Sequence, residues 1–462
     1  MGMKNKEPIL RKVLVFSALP LFILLLLLCH DQQHSFATYS SDEGQDDEKN
    51  TEHHSLGEVE SAELHSKLRR LVNGNDLTNF DATGISYDVD DFTEISVISK
   101  PVIFDQKSLS LYVPSNDAIQ PGRRKVKPYP RREDPTAMEW VTPVDIITGN
   151  ATQIRPPSCQ IMHHVPALFF SFQGFVENPF HAFNEVVIPL FLTSWHFRSQ
   201  VQFVLTDYRY EWFWKYTRVI EKLSRYEVIG TKDSKMVHCF PAAVVGLRYH
   251  ENLAVNSSKV PLGYTMQNFR QFLWKTYKVK VKTALNLEKP KLLLISRKGS
   301  RMFLNEDEMV RMMEEELGFQ VYRALPNETS DLSKFGSVVN SCEIMLGAHG
   351  AGLTNGLFLP TGAVMIQMVP LGLNWASDNY FGEPAPGIGL KYIRYKIWRN
   401  ETSLYEKYGP NDPIVSDPGS IWAKGYMAVK KAYVDEQNFR INLVRLKSVL
   451  IEALELMGRS SA

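Results

Sequence analysis

One short segment of the chain places an imidazole and a carboxylate where they can act together on a proton. The segment is Asn178–Glu185, with the sequence NPFHAFNE. If a helix begins near Pro179, His181 and Glu185 share one helical face, so the carboxylate can orient the imidazole. An oriented imidazole can accept the proton of an attacking hydroxyl as a general base. We therefore predict His181 and Glu185 as catalytic residues; the alternative is a structural His–Glu pair or a buried capping histidine.

Two further loops combine cations with glycines, a pattern typical of phosphate binding. Residues 295–301 (ISRKGSR) place three cations directly after a predicted strand, and residues 346–355 (LGAHGAGLTN) end a strand in a glycine-rich turn. Guanidinium groups bind diphosphates through charge-assisted hydrogen bonds, and glycines let backbone amides approach phosphate closely. Taken alone, the first loop could equally be a solvated basic loop and the second an ordinary tight turn. Together, on neighbouring strands, they favour the binding of a nucleotide diphosphate. The predicted binding residues are Arg297, Arg301, His349, Gly350, Gly352, Thr354 and Asn355.

No metal-binding pattern accompanies these loops. An Asp-x-Asp triplet does not occur at a strand end in this part of the sequence, and Asp88, Asp90 and Asp91 lie in an irregular region. The four cysteines are far apart and lack the spacing of metal ligands. We predict no metal and no cofactor, with the two arginines taking the place of a divalent cation.

The predicted elements put both groups of residues at the carboxyl ends of strands. Between residues 166 and 229, buried strands at 167–172, 201–205 and 226–229 alternate with helices, and a clearer series of strands and helices follows between 291 and 369. Such alternation builds parallel sheets covered by helices, with ligands beyond the carboxyl ends of the strands. We predict an α/β protein of two facing Rossmann-like domains with a cleft between them.

The N-terminal region predicts a membrane anchor. Residues 13–29 are uncharged and apolar and follow four basic residues, which the positive-inside rule holds in the cytosol. A cleaved signal peptide is the alternative, but no small-x-small site directly follows the leucines. Because so short a span fits a thin early-secretory bilayer, we predict a single-pass type II Golgi protein with its bulk in the lumen. Four glycosylation sequons lie on that side, at Asn150, Asn256, Asn327 and Asn400.

Shifts in composition divide the rest of the chain. Residues 30–67 are rich in acidic and small polar side chains, and the apolar residues of 68–155 are scattered among Pro and Arg, although SVISKPVIF (96–104) and LSLYV (109–113) look like short strands. The predicted segments are a cytosolic tail (1–12), a transmembrane signal anchor (13–29), a disordered acidic stem (30–67), an irregular approach segment (68–155), an N-terminal Rossmann-like domain (156–285), a C-terminal nucleotide-binding domain (286–430) and a closing helix (431–462).

Charge and cysteine content limit the possible partners. The 52 basic and 51 acidic residues of the 462-residue chain give a net charge of +1, which disfavours binding to nucleic acid. Three cysteines fall in the predicted lumenal part, so at least one thiol lacks a partner within the chain. Cys159 and Cys239 flank the central strands of the first predicted domain and are the expected pair, while Cys342 is expected to be inert.

Several motifs resemble one enzyme family. The stretch GAHGAGLTN, followed by FLP, GAV and QMVP, resembles the signature of plant glycosyltransferase family 61. NPFHAFNEVVIPLF resembles the N-x-F-H-D-F-N-D element of that family, although Ala182 and Glu185 stand where Asp is expected. HCFPAAVVGL, ISRKGSRMFLNE, VNSCE and YVDEQNFRINLVR have counterparts in the same order, so the resemblance covers about residues 155–455.

The resemblance implies a GT-B-like fold, a sugar-nucleotide donor on the C-terminal domain, an acceptor on the N-terminal domain and inversion at the anomeric carbon. The implied reaction is transfer of arabinose or xylose from a UDP-sugar to a xylan-type cell-wall polysaccharide. The alternatives are transfer of xylose or N-acetylglucosamine to protein-linked glycans, and a non-catalytic lumenal glycan-binding protein, which the Ala182 departure allows. The candidate sugar-stacking aromatic residues are Trp195, Trp212, Trp214 and Trp375.

Overall fold

A computed structural model describes residues 61–115, 121–231, 235–281, 283–284 and 288–459. The predicted tail, the predicted anchor and the stem up to residue 60 lie outside the described residues. No helix in the described part of the chain combines the length and the apolar character needed to span a membrane. Residues 61–69, which we had assigned to the stem and to the start of the approach segment, are helical. Leu68 is fully buried and Leu64 packs against the same core, because residues four apart share one helical face.

The strands form three sheets. They are β1 (Ile85–Val89), β2 (Glu94–Ile98), β3 (Val102–Asp105), β4 (Ser110–Pro114), β5 (Gly122–Val126), β6 (Val144–Gly149), β7 (Ile161–Met162), β8 (Ala167–Phe170), β9 (Gln202–Leu205), β10 (Ile229–Gly230), β11 (Val237–Phe240), β12 (Ala243–Val245), β13 (Lys291–Ile295), β14 (Gln320–Ala324), β15 (Ile344–Ala348), β16 (Val364–Val369) and β17 (Lys391–Lys396).

The helices lie between and around these strands. The α-helices are Leu77–Thr83, Pro135–Glu139, Ala151–Ile154, Pro179–His181, Ile188–Ser194, Tyr210–Leu223, Met266–Tyr277, Glu306–Glu315, Leu332–Asn340, Asn374–Ser377, Ala385–Ile388, Ser403–Tyr408, Pro413–Ser416, Pro418–Trp422, Tyr426–Val429 and Leu443–Leu456. The π-helical segments are Ala182–Val187, Asp378–Gly382 and Lys430–Asp435. The 3-10 segments are Gly74–Asp76, Trp195–Phe197, Pro261–Gly263, Pro326–Ser330, Ala351–Phe358 and Arg399–Glu401.

The first sheet has the order β1-β2-β12-β8-β9-β10 and carries the predicted catalytic segment. Its strands β12, β8, β9 and β10 are parallel, while β1 and β2 continue the sheet in antiparallel pairing. The predicted strand at 167–172 is confirmed as β8, and the loop that follows its carboxyl end leads to His181. The predicted strand at 226–229 is reduced to the short edge strand β10.

The second sheet, with the order β5-β6-β4-β3-β11-β7, differs from the prediction for residues 68–155. The segment predicted to be irregular supplies β1 to β6, and Val113 and Phe104 are fully buried. The short strands expected at 96–104 and 109–113 are confirmed as parts of β2, β3 and β4. These strands are only four to six residues long, and β2 and β3 pair with β12 and β11, more than 130 residues away. Long-range pairing leaves little local periodicity in the sequence, which explains the difference.

The third sheet is entirely parallel, with the order β14-β13-β15-β16-β17. The strands predicted between residues 291 and 369 are confirmed as β13 to β16, but the helix predicted to begin at Gly352 is the 3-10 segment Ala351–Phe358. The predicted closing helix begins only at Leu443. The architecture is thus a mixed α/β fold with three sheets.

Residues from Ser61 onward form one compact unit. One apolar core runs from the first sheet, with Phe170 and Phe183, to the third sheet, with Ile295 and Phe358. The ring centroids of Phe183 and Phe358 are 6.4 Å apart. The helix and π-helical segment that begin at Pro179 therefore pack directly beside the loop that follows β15.

Candidate functional site

The catalytic segment begins with a capped turn. The side chain of Asn178 accepts a hydrogen bond from the backbone N–H of Phe180 at 3.0 Å, and Pro179 occupies the first helical position. The chain then continues as the π-helical segment Ala182–Val187. Nδ1 of His181 lies 2.5 Å from Oε1 of Glu185, so the predicted i, i+4 pair is present in the structure.

Glu185 is completely buried and holds two further partners. Arg131 Nε donates to Glu185 Oε1 at 2.7 Å, and the Tyr129 hydroxyl donates to Oε2. Burial alone would raise the pKa of Glu185, but the hydrogen bond from His181 and the charges of His181 and Arg131 outweigh burial and lower it. Glu185 is therefore an anionic anchor, and it leaves Nε2 of His181 as the ring nitrogen free for a substrate hydroxyl.

Tyr129 and Arg131 were not predicted from the sequence. They lie in the predicted approach segment (68–155), more than 50 residues before Glu185. Arg131 has a φ of 95°, a strained conformation for a non-glycine residue. Strained backbone that brings a cation onto a buried carboxylate is a common property of functional sites. No local spacing links the two segments, so only the fold reveals the contact.

The second group of predicted residues surrounds Gly350, directly after β15. A Cβ built on Gly350, whose φ is 148°, would lie 2.7 Å from Nη1 of Arg297 and 3.0 Å from Nη1 of Arg301. Arg301 Nη1 also donates to the carbonyl of His349 at 2.8 Å. Only a glycine leaves room for both guanidinium groups, so the turn and the arginines are matched to each other.

Within the described residues, neither Arg297 nor Arg301 forms an ion pair with a carboxylate, and Nε of Arg301 is a buried donor without a hydrogen-bond partner there. Burial and the charge of Arg297 lower the pKa of Arg301 to about 10, although the charge of Asp435 acts in the opposite direction. Two adjacent, partly buried guanidinium groups that are not ion-paired can bind a polyanion such as a diphosphate.

His349 is buried beside these arginines. Gln367 Nε2 donates to Nδ1 of His349 at 2.8 Å, while the amide oxygen of Gln367 accepts from the Tyr392 hydroxyl at 2.7 Å. Burial and the charges of Arg301 and Arg297 lower the pKa of His349 to about 3. His349 is therefore neutral at physiological pH, with its proton on Nε2, where it can act as a hydrogen-bond donor.

The remaining predicted residues of the glycine-rich loop face inward. A Cβ on Gly352 would lie 2.8 Å from Cγ2 of Ile295, so this glycine permits close packing on β13. Thr354 and Asn355 are buried, and the Asn355 amide donates to the carbonyl of Gly352 at 2.9 Å. The loop thus presents Gly350 and His349 to the site, whereas Gly352, Thr354 and Asn355 shape the turn.

Aromatic side chains connect the two groups. The ring of Phe180, next to His181 in the chain, lies 4.9 Å from Tyr380 and 5.7 Å from Phe381. These two rings lie 6.3 and 5.7 Å from the imidazole of His349. The general-base candidate and the cation pair therefore border one region. Sequence reasoning missed Tyr380 and Phe381, which lie in the π-helical segment Asp378–Gly382.

Asn184 connects this segment to the catalytic helix. Its amide nitrogen lies 3.2 Å from Oδ1 of Asn252, and the Asn252 amide donates to Oδ1 of Asn379 at 2.6 Å. Asn184 is buried, as expected of a packing residue. Within the described residues, no three His, Cys, Asp or Glu side chains cluster at metal-binding distances.

The expected disulfide is confirmed. Cys159 and Cys239 are bonded, with their Cα atoms 5.9 Å apart, and Cys342 is a buried free thiol. Burial raises the pKa of Cys342 to about 11, so its thiol is unreactive at neutral pH. The bridge ties β11 to the segment before β7 and lies outside the candidate site.

Comparison with known proteins finds one enzyme family and several plant enzymes that resemble this chain. The model of the family glycosyltransferase 61 matches residues 180–366, which include His181, Glu185 and the loops at 295–301 and 346–355. The chain is 39% identical over 365 residues to the xylan glycosyltransferase MUCI21 of Arabidopsis thaliana, covering 75% of this chain and 74% of that protein. It is 41% identical to the alpha-1,3-arabinosyltransferase XAT2 of Oryza sativa subsp. japonica, over 72% of this chain and 58% of that protein. It is 36% identical to the beta-1,2-xylosyltransferase XYXT1 of the same species, over 72% of this chain and 72% of that protein.

Proposed function

Because the chain belongs to glycosyltransferase family 61, we propose that it transfers a pentose, arabinose or xylose, from a UDP-sugar to a xylan-type cell-wall polysaccharide. The relatives that are 36–41% identical carry xylan, arabinosyl or xylosyl activities in their names, which supports this choice of sugar and acceptor. The chain is a glycosyltransferase; the identity of the pentose is the part that requires measurement.

One observation carries the mechanism. The imidazole of His181, held by Glu185, and the arginine pair, which lies beside His349 and has no ion-paired carboxylate among the described residues, border the same aromatic rings. In the proposed reaction, Nε2 of His181 takes the proton of an acceptor hydroxyl as its oxygen attacks the anomeric carbon. The bond from that carbon to the diphosphate oxygen breaks, and the electron pair leaves with UDP. Arg297 and Arg301 stabilise the charge that develops on the diphosphate.

Two features favour inversion without a metal. One base and one diphosphate site support a single displacement, which inverts the configuration of the anomeric carbon. The arginine pair and the Nε2–H of neutral His349 supply the donors that a leaving diphosphate needs. In this proposal the parallel third sheet holds the donor, and the first sheet carries the base that meets the reacting residue of the acceptor, which is the arrangement of a GT-B-like enzyme.

We also propose that the protein is a single-pass type II glycoprotein of the Golgi with its catalytic part in the lumen. The apolar residues 13–29 after a basic N-terminus support an anchor. The Cys159–Cys239 disulfide supports an oxidising compartment, where such bonds persist. Glycosidase should lower the apparent mass, and protease added to sealed vesicles should spare all but the N-terminal tail. Complete digestion would contradict this topology.

A donor and acceptor screen tests the function. The full chain, purified in detergent, is incubated with UDP-arabinofuranose, UDP-arabinopyranose or UDP-xylose and with xylo-oligosaccharides, and both UDP release and the glycosylated product are measured. We expect one pentose donor to give product, and the His181→Ala variant to give almost none. Transfer only to protein-linked glycans, or glycan binding without UDP release from any donor, would overturn the proposal.

A further inference from the structure

A groove lies beyond the carboxyl end of β16, beside the candidate site. Its volume is about 370 Å³, within the range of ligand-binding sites. The residues that line it are Gly372, Asn374, Trp375, Pro418, Gly419 and Trp422. None of these lining side chains is itself charged, although Arg394 contacts Asn374 and Asp417 lies beside Gly419.

One side of the groove is held in place by contacts within the protein. Trp422 Nε1 donates to the carbonyl of Gly372 at 2.7 Å, and its side chain remains 38% exposed. Gly372 has a φ of 78°, and a Cβ there would lie 2.4 Å from the ring of buried Tyr433. The Asn374 side chain accepts from Arg394 Nη2 at 2.7 Å. These contacts position Trp422, Gly372 and Asn374, whereas Trp375 is the more exposed of the two tryptophans.

Trp375 joins the groove to the site of sugar transfer. It is 61% exposed, far more than an aromatic ring that packs in a core. Its ring centroid is 5.8 Å from that of Tyr380, which is 6.3 Å from that of His349. A chain lying in the groove would therefore run toward the region between His181 and the arginine pair.

We propose that the Trp375–Trp422 groove is a subsite for the polysaccharide acceptor, holding neutral pyranose residues of its backbone away from the residue that receives the sugar. This inference rests on the proposed function. Pyranose rings with equatorial hydroxyls present flat C–H faces, which pack on exposed indole rings, and the neutral lining matches an uncharged pentose chain. A nucleoside of the donor is the competing occupant, and the kinetics distinguish the two.

The test compares acceptors of different length. Initial rates of the full-length wild type and the Trp375→Ala and Trp422→Phe variants are measured with xylotriose and with xylohexaose. We expect the KM for xylohexaose to rise about 2- to 10-fold in Trp375→Ala, the size of a lost aromatic contact. The KM values for xylotriose and for the donor should stay unchanged. Trp140→Ala is the matched control, because Trp140 is 64% exposed and lies outside the groove.

A binding measurement keeps the two proposals separable. Calorimetry of xylohexaose with the wild type and Trp375→Ala needs no turnover, so weaker binding in the variant supports the groove even if no donor gives product. A rise in the KM for the donor would assign the groove to the nucleoside and overturn the inference. If the wild type is active and Trp375→Ala has the same KM and the same affinity as the wild type for acceptors of every length, the groove is not an acceptor subsite. That result would leave the proposed function standing.

Discussion

Nδ1 of His181 and Oε1 of Glu185 lie 2.5 Å apart on successive turns, and the carboxylate is completely buried. Arg131 donates to the same carboxylate oxygen, and the Tyr129 hydroxyl donates to the other, so these contacts fix the carboxylate that orients the imidazole. An imidazole held through Nδ1 has Nε2 as its remaining ring nitrogen. In the proposed mechanism His181, and not Glu185, is therefore the group that contacts the acceptor.

Replacement of His181 by Ala should lower turnover about 10²- to 10⁴-fold, the usual contribution of a general base. Binding of UDP should survive, because in the proposed mechanism Arg297 and Arg301 hold the diphosphate. Initial rates and UDP titration of the same preparation check this. Near-normal turnover, or parallel loss of UDP binding and activity, would remove His181 from the role of base and direct attention to His349.

Glu185→Gln should reduce turnover less than His181→Ala, but it should also destabilise the protein. The variant removes a completely buried anion from Arg131, which is partly buried and keeps Glu133 at 3.4 Å, so the loss should stay below about 3–5 kcal/mol, the cost of breaking a fully buried pair. Turnover and the unfolding midpoint are both measured, with His181→Gln as the control that leaves the Arg131–Glu185 pair intact. A Glu185→Gln protein as stable as that control would contradict the role of Glu185 as an anionic anchor.

Arg297→Ala and Arg301→Ala should each weaken UDP binding about 10- to 150-fold, the value of a charge-assisted hydrogen bond of about 1.5–3 kcal/mol. Lysine at either position should restore little if the contact is bidentate. The matched control is Lys298→Ala, because Lys298 belongs to the same loop and is exposed. UDP titration by calorimetry gives the affinities.

A chelator tests the related expectation that no metal is required. Activity should remain largely intact in EDTA, because the arginine pair offers the positive charge that the diphosphate needs. The rate is measured before and after dialysis against chelator. Loss of activity that manganese restores would show that a metal takes part in the reaction.

Gln367 should act through His349. Gln367→Leu removes the donor to Nδ1, so the proton of His349 is no longer fixed on Nε2, and UDP affinity should fall about 2- to 10-fold, the value of one neutral hydrogen bond. Nitrogen-15 NMR of the imidazole reports the tautomer and separates positioning from a general loss of structure. Tyr392→Phe, which frees the amide of Gln367, should give a smaller change in the same direction. An unchanged tautomer in Gln367→Leu would refute this role.

Stability should fall as the medium becomes acidic, and His196 should contribute. His196 is buried, and burial together with the charge of Arg70 lowers its pKa to about 4 from an ordinary 6.5. The unfolded chain therefore gains this proton below pH 6.5, whereas the folded protein gains it only near pH 4. Between these values stability is lost, by about 2 kcal/mol at pH 5 from this residue. Urea unfolding at pH 7.5 and 5.0 should show a smaller loss in His196→Gln; an identical loss would contradict the assignment.

The sequence by itself determined the local parts of this protein. The strands β13, β15 and β16 are continuous apolar runs, and the i, i+4 spacing of His181 and Glu185 needs only a helix to bring them together. The cations after β13 and the glycine turn after β15 follow from strand order, since neighbouring parallel strands end at one edge. These features depend on residues close in the chain, which is why a sequence contains them.

The tertiary structure alone decided the contacts between distant segments. Tyr129 and Arg131 reach Glu185 across more than 50 residues, and Gln367 reaches His349 through the neighbouring strand β16. The strands of residues 85–149 are four to six residues long, and β2 and β3 also pair with β12 and β11 from distant parts of the chain, so local periodicity did not reveal the sheets that they form. Burial and ion pairing set the charge of Glu185 and His349, and both are properties of the folded surroundings, which no spacing in the sequence encodes.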